Sequence, residues 1–401
     1  MAPKLLSPLS SPVLTRNSRV PLSLYLHFPW CRQKCPYCDF NSKVLLAQNT
    51  NLIEPYIDHL INDLAWFSRA LNRGAAPNIV SVFIGGGSPN LLTARQLTKL
   101  IDAAAKYFTF DPKIEVTLEA NPVITKRQAK VLLSVGINRL SLGVQSFQGD
   151  KLSSIGRLKV APPAKIKRCI GAVLEAGFTN LNLDLMYGLP SQTPRDACDD
   201  LKAALAFNPS HLSWYQLTLS EDRLAGPWAR QLALPNLDAI TAIEQAGRFY
   251  LKQQGFTRYE VSSYASHARY RCKHNLNYWS YGDYLGLGAG ASSKLTLASG
   301  DVLRWQNLIN PAQFLKQPSL AAEIEQVDAN KQRLEFMLNA GRLLIKVPHQ
   351  WWQQRVKGAS AMWWHDKLQD LASRGLLQLN ASYFKVNARG SSLLDSWLVE
   401  F

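Results

Sequence analysis

From Pro21 onward the chain alternates two kinds of apolar pattern. Short runs rich in β-branched, leucine and aromatic residues occupy 22–28, 79–84, 115–119, 139–144, 180–186 and 211–219. Between them lie longer stretches with apolar residues at helical spacing, at 55–71, 93–107, 125–135, 164–176 and 195–206. Strands that alternate with helices predict parallel pairing through crossover helices. After about residue 300 the alternation fades. Residues 328–401 read as helical with a short closing strand at 383–386. Trp351, Trp352, Trp363 and Trp364 in this stretch are expected in a core or an interface rather than against a ligand. The pattern divides the chain into a flexible arm at 1–20, a body at 21–300 and a small, mostly helical C-terminal domain at 301–401.

The polar residues at the strand ends choose between two α/β architectures. His27 and Cys31, Gly85–Gly87, Glu119 and Asn121, Gln145, Asp184 and Gln216 fall at or near six successive ends. An open sheet gathers its ligand at one switch point, whereas a barrel builds its site from the whole C-terminal rim. The expectation is therefore an α/β fold forming a full or partial (β/α)6 TIM-like barrel.

Composition narrows the class. An apolar fraction of 47% excludes a disordered chain, and no apolar run is long enough to span a membrane. Six cysteines in 401 residues are too sparse for a disulfide scaffold. The balance of 45 basic against 29 acidic residues, net +16, attracts anions. No Lys/Arg run exceeds two residues and no nucleic-acid motif is present, so an acidic small molecule is expected rather than a specific nucleic acid. The first acid in the chain is Asp39. An acid-poor, Ser-rich start admits a mitochondrial transit peptide and a matrix location. Four prolines up to Pro21 break any amphipathic helix there, so a short arm on a cytoplasmic protein is the expectation.

The strongest local signal is Cys31-Arg-Gln-Lys-Cys35-Pro-Tyr37-Cys38, directly after the first strand. A structural zinc ion wants a fourth ligand. Redox chemistry would use Cys35 and Cys38 but leave Cys31 idle. An iron–sulfur cluster uses all three and leaves one iron without a protein ligand. Cys169, Cys198 and Cys272 stand at unrelated spacings and read as structural thiols.

The C-x3-C-x2-C spacing, with aromatic Tyr37 before its last cysteine, resembles the radical S-adenosylmethionine (radical SAM) signature. Further elements resemble it in order: Tyr25-Leu-His27, Gly85-Gly86-Gly87-Ser88-Pro89, Glu119-Ala-Asn121-Pro, Gly143-Val-Gln145-Ser-Phe, Gly156-Arg157 and Asp184-Leu-Met-Tyr-Gly-Leu-Pro190. The resemblance implies a [4Fe–4S] cluster on Cys31, Cys35 and Cys38. It implies S-adenosylmethionine held by Tyr25, Tyr37, Gly86, Gly87, Ser88, Glu119, Gln145, Arg157, Asp184 and Gln216, and a one-electron reductant for the cluster.

The segments His211-Leu-Ser-Trp-Tyr-Gln216-Leu-Thr, Cys272-Lys-His274-Asn-Leu-Asn-Tyr-Trp279 and Tyr284-Leu-Gly-Leu-Gly-Ala-Gly-Ala291 resemble one branch, the HemW-type haem chaperones. Their near relatives are the oxygen-independent coproporphyrinogen III oxidases. Those oxidases carry a further cysteine two positions after the last cluster cysteine, where this chain has Phe40, and a longer N-terminal extension. The implied function is haem binding and delivery to acceptor proteins, with coproporphyrinogen oxidation as the alternative; a homodimer is compatible with it. The family often has His after the glycine-rich segment, where this chain has Ser292, and Thr where it has Ser88. His274 becomes the leading haem-related histidine, and Arg304 a candidate propionate partner.

Overall fold

The computed structural model describes residues 14–71, 76–221, 226–316, 323–358 and 360–401. Six strands run parallel, side by side in chain order: β1 (Leu22–Phe28), β2 (Asn78–Gly86), β3 (Thr109–Ala120), β4 (Arg139–Gln145), β5 (Leu181–Tyr187) and β6 (His211–Gln216). Helices α1 (Ile53–Leu71), α2 (Ala94–Tyr107), α3 (Lys126–Ser134), α4 (Pro163–Ala176) and α5 (Pro194–Leu205) connect them, and α6 (Leu237–Gln253) follows β6. Leu22, Leu24 and Leu26 of β1 and Leu181, Leu183 and Leu185 of β5 are all buried. Helices cover the outer face of a parallel sheet, so such strands need no water-facing residues there.

Local sequence fixes where three helices begin. Thr93 with Gln96, Thr125 with Gln128 and Thr193 with Asp196 form reciprocal capping boxes just past the ends of the preceding strands. Each satisfies two backbone donors that the first turn leaves free and contributes about 1 kcal/mol. The N-terminal ends of α2, α3 and α5 are thereby held toward the rim.

The sheet grows at both edges. β7 (Thr257–Arg258) and β8 (Ser263–Ala265) add antiparallel beyond β6. On the other side β9 (Asp283–Leu287) lies parallel to β1, and β10 (Ser292–Thr296), β11 (Val302–Gln306) and β12 (Glu325–Val327) follow as an antiparallel meander. The order β12-β11-β10-β9-β1-β2-β3-β4-β5-β6-β8-β7 describes an incomplete barrel with one extended wall. The main sheet thus continues past residue 300, to Val327, before a second core begins.

That second core joins Phe336, Trp352, Trp364 and Phe384, under helices and the small sheet that contains strand Tyr383–Val386. Trp352 and Trp364 stack at 4.2 Å and 10°, with Trp351 and Trp363 packed against the cluster. All four tryptophans thus lie in this core or against it.

Residues 1–13 of the expected arm lie outside the described residues. Residues 14–20 are packed against the body and are no arm. Leu14 donates its N–H to the Ala70 carbonyl at 2.8 Å, Arg16 pairs with Asp283 at 3.4 Å, and Val20 is fully buried. A buried Asp283, paired also with Lys294 at 3.2 Å, gives the Arg16 guanidinium a reason to fold inward.

Candidate functional site

The cysteine loop leaves the top of β1 and turns back on itself. Trp30–Cys31 pairs in parallel with Lys43–Val44, and the Leu45 N–H donates to the Cys31 carbonyl at 2.7 Å. Lys34 reaches back to the carbonyls of Phe40 at 3.2 Å and Ser42 at 2.9 Å, cross-bracing the loop. Cys31 and Cys35 are buried and Cys38 half-buried, all as free thiols. Burial pushes the Cys31 thiol up, opposed by the hydroxyls of Ser88 and Ser42. Phe40, at the loop tip, is 70% exposed.

The glycine run after β2 is shaped by close approach. Gly86 has φ +108°, and a Cβ there would meet the His27 ring at 2.4 Å. A Cβ on Gly87 would strike the Trp30 carbonyl at 2.5 Å. The Gly86 N–H donates to Glu119 Oε2 at 2.9 Å, and the Gly87 and Ser88 N–H groups to the Phe28 and Trp30 carbonyls at 2.7 and 2.8 Å. The run is therefore stitched to the cysteine loop on one side and to β3 on the other.

One arginine joins these pieces. Arg157 is buried and donates through Nη1 to Cys35 Sγ at 3.6 Å. Its Nη2 donates to Asn121 Oδ1 and to the Gly143 carbonyl, each at 2.7 Å. Asn121 in turn donates through Nδ2 to Ser88 Oγ at 2.9 Å. The Arg157 Nε stays buried without a partner among the described residues. A buried donor left over beside a thiol loop is a place for an acceptor from a ligand.

Two carboxylates occupy the lumen below. Glu119 is pushed up to about 7, first by burial and then by Asp184, with the Gly86 N–H and Arg139 opposing. Asp184 is raised by burial and held by Ser141 at 3.0 Å and Asn182 at 2.7 Å. It stands inside β5, paired in register with Gly143, rather than at the strand end. Gln145, with φ 71°, accepts from the Tyr215 hydroxyl at 2.9 Å. Tyr25 is raised well above the ordinary tyrosine value, first by burial and then by Glu119, so its hydroxyl donates to His27 Nδ1 at 3.0 Å. His27 then donates through Nε2 to the Asn41 carbonyl at 2.8 Å, which occupies both ring nitrogens. Its role is to brace the cysteine loop. Tyr37 packs with Ile155, Met186, Leu189 and Leu217.

Two expected residues make no hydrogen bond into this group among the described residues. Gln216 is exposed at the end of β6, its Cγ beside Gly188. His274 lies in the first turn of a short helix, α7 (Lys273–Trp279), whose leading N–H groups donate to Glu115 of β3. Its ring lies 4.8 Å from Phe83 and 6.0 Å from Tyr25, and burial lowers it to about 4. It belongs to the barrel floor. Arg304 is ion-paired with Glu335 and is not a free cation. Asn41 and Ser42 join this group without any motif announcing them, though they follow the last cysteine closely; Tyr215 lies inside the quoted His211–Thr218 segment, where Gln216 was singled out instead.

The donor set discriminates between metals. Among the described residues no three His, Cys, Asp or Glu side chains converge tightly enough for a single ion. A four-iron cluster takes one thiolate per iron, so its thiolates stand apart, and the three free thiols of one braced loop fit that demand.

A profile described as the Radical SAM superfamily matches residues 25–204. The chain is 39% identical over 384 residues to Heme chaperone HemW of Haemophilus influenzae, covering 95% of this chain and 98% of that one. It is 37% identical over 387 residues to Heme chaperone HemW of Escherichia coli, with the same coverage. The chain belongs to the HemW family of radical SAM proteins. Superfamily membership implies the [4Fe–4S] cluster and S-adenosylmethionine. The E. coli coproporphyrinogen III oxidase HemN, a radical SAM enzyme, matches with a TM-score of 0.77 over 96% of this chain and 90% of that one. At 24% identity this shows that the HemW-family chain shares its fold. No helix among the described residues is long and apolar enough to cross a membrane.

Proposed function

We propose that this HemW-family chain is a haem chaperone: it binds haem and passes it to acceptor proteins, with a cluster and S-adenosylmethionine at the barrel rim. The observation that carries the reading is end-to-end similarity to chains named Heme chaperone HemW, at 39% identity over 98% of the H. influenzae protein. Exposed Phe40, where the related oxidases place a further cysteine, supports it.

In this reading Cys31, Cys35 and Cys38 hold the cluster. Ser88, Glu119, Arg157 and Asp184, with the backbone of Gly86 and Gly87, face S-adenosylmethionine. When bound, the two groups supply one-electron chemistry at a site that the barrel keeps from water. Arg157 keeps the Cys35 sulfur and the Asn121 amide in one register through three donated bonds. Glu119 and Asp184 offer negative charge to an ammonium or to ribose hydroxyls. A reductant delivering single electrons, a cytoplasmic site of action and soluble haem acceptors belong to the same reading.

The test is anaerobic. Reconstituted protein is given coproporphyrinogen III, S-adenosylmethionine and a one-electron reductant. The expected result is no sustained protoporphyrinogen formation. Turnover over many cycles would overturn the chaperone reading in favour of the oxidase.

A further inference from the structure

Beside the cysteine loop, and sharing Asn121 with the site above, a cavity of about 770 Å³ opens between the starts of α2, α3 and α4. That volume lies within the ~300–1,000 Å³ of small-molecule sites. Its wall is apolar, with Leu92, Leu97, Ile124 and Leu132 buried behind it and Val131 half-buried. Its mouth carries Arg32, Arg127, Lys159 and Lys165. None of these four cations has an ion-pair or hydrogen-bond partner among the described residues, and no acid lines the cavity. The capped N-terminal ends of α2 and α3, at Thr93 and Thr125, line it too and add positive potential.

We infer that this cavity is the haem site, a reading that rests on the proposed chaperone function. An occupant that satisfies such a wall has a broad apolar body with anionic groups at one edge. Haem, with a flat apolar macrocycle and two propionates, has that chemistry; a nucleotide lacks the apolar body and a fatty acid the second charge. The lining holds no His, Cys, Met or Tyr, so it gives the haem iron no protein ligand. Propionate pairing and apolar contact alone hold the macrocycle, and both iron faces stay free for an acceptor's ligand. His274, in the barrel floor, takes no part.

The test is a spectrophotometric titration of the full chain, anaerobically reconstituted, with haem, metal-free protoporphyrin IX and protoporphyrin IX dimethyl ester. The wild-type protein is expected to bind the first two with affinities within about threefold of each other and the ester roughly tenfold weaker, the two lost charge contacts together being worth about that much. The triple variant Arg127→Glu, Lys159→Glu, Lys165→Glu should lose roughly tenfold or more in haem affinity with unchanged iron content. Val131→Trp, which fills the wall without touching charge, should lose haem as well. Wild-type haem affinity in both variants would overturn the cavity assignment and leave the chaperone reading standing. No saturable haem binding by the wild-type chain would overturn both.

Discussion

Arg157 Nη1 lies 3.6 Å from the Cys35 sulfur, a contact between residues 122 positions apart in the chain. The same guanidinium holds Asn121, which holds Ser88. A lysine keeps the charge but cannot reproduce the planar fork. Arg157→Lys is therefore expected to lower S-adenosylmethionine affinity about tenfold, the loss of one or two charge-assisted hydrogen bonds of ~1.5–3 kcal/mol each with partial compensation. Iron content should stay at the wild-type level, and the cluster's reduction potential should shift because a donor to its ligand sulfur is lost. Equilibrium dialysis and a redox titration check this; unchanged affinity and potential would remove Arg157 from the site.

Glu119 carries a pH prediction with a definite sign. Its carboxyl is raised from 4.5 to about 7 in the folded, unliganded protein. The folded state then holds the proton more tightly than the unfolded chain does. Stability from this group is full below pH 4.5 and falls as pH rises through 7. The loss is on the order of 3 kcal/mol. Asp184, Arg139 and Tyr25 face the same group and keep their own contributions in Glu119→Gln. The melting temperature of the wild-type apoprotein should drop relative to Glu119→Gln between pH 5 and about 8. A cationic ligand beside Glu119 favours the carboxylate, so S-adenosylmethionine binding near neutral pH should release protons. Calorimetry in two buffers of different ionisation heat reads this; parallel melting curves and no proton release would contradict it.

Two glycines separate backbone strain from crowding. Gly86 and Gly136 have φ of +108° and +94°. A Cβ on Gly136 would find Ile101 at 3.9 Å, an ordinary contact, whereas one on Gly86 would overlap the His27 ring at 2.4 Å. Gly136→Ala should cost about 1–2 kcal/mol, the strain term alone. Gly86→Ala should cost several kcal/mol more or lower cluster content, because His27 braces the cysteine loop through Asn41. Chemical denaturation and iron analysis compare the two; equal costs would show that His27 has room to move.

The parallel strands were legible because each is buried on both faces and bounded by turn residues. The start of β3 was not, since Asp111 and Pro112 interrupt an exposed stretch that only pairing with β2 makes a strand. β9 was hidden in a glycine-rich segment; its place beside β1 depends on long-range register from Leu22 with Asp283 onward. In the site, the cysteines and glycines stand out because their spacing is local. The Arg157–Asn121–Ser88 chain closes over separations of 36 and 33 residues, which no local pattern reports. The His274 motif pointed to haem without giving a place in the barrel; the bonds from the Lys273 and His274 N–H groups to Glu115, more than 150 residues away, fix that place.

The central claim is that this chain carries haem. Haem titration of the anaerobically reconstituted full chain tests it most directly. The account predicts a saturable absorbance change at one haem per chain, with the cluster retained throughout. A change that only grows in proportion to added haem, without saturation, would contradict it.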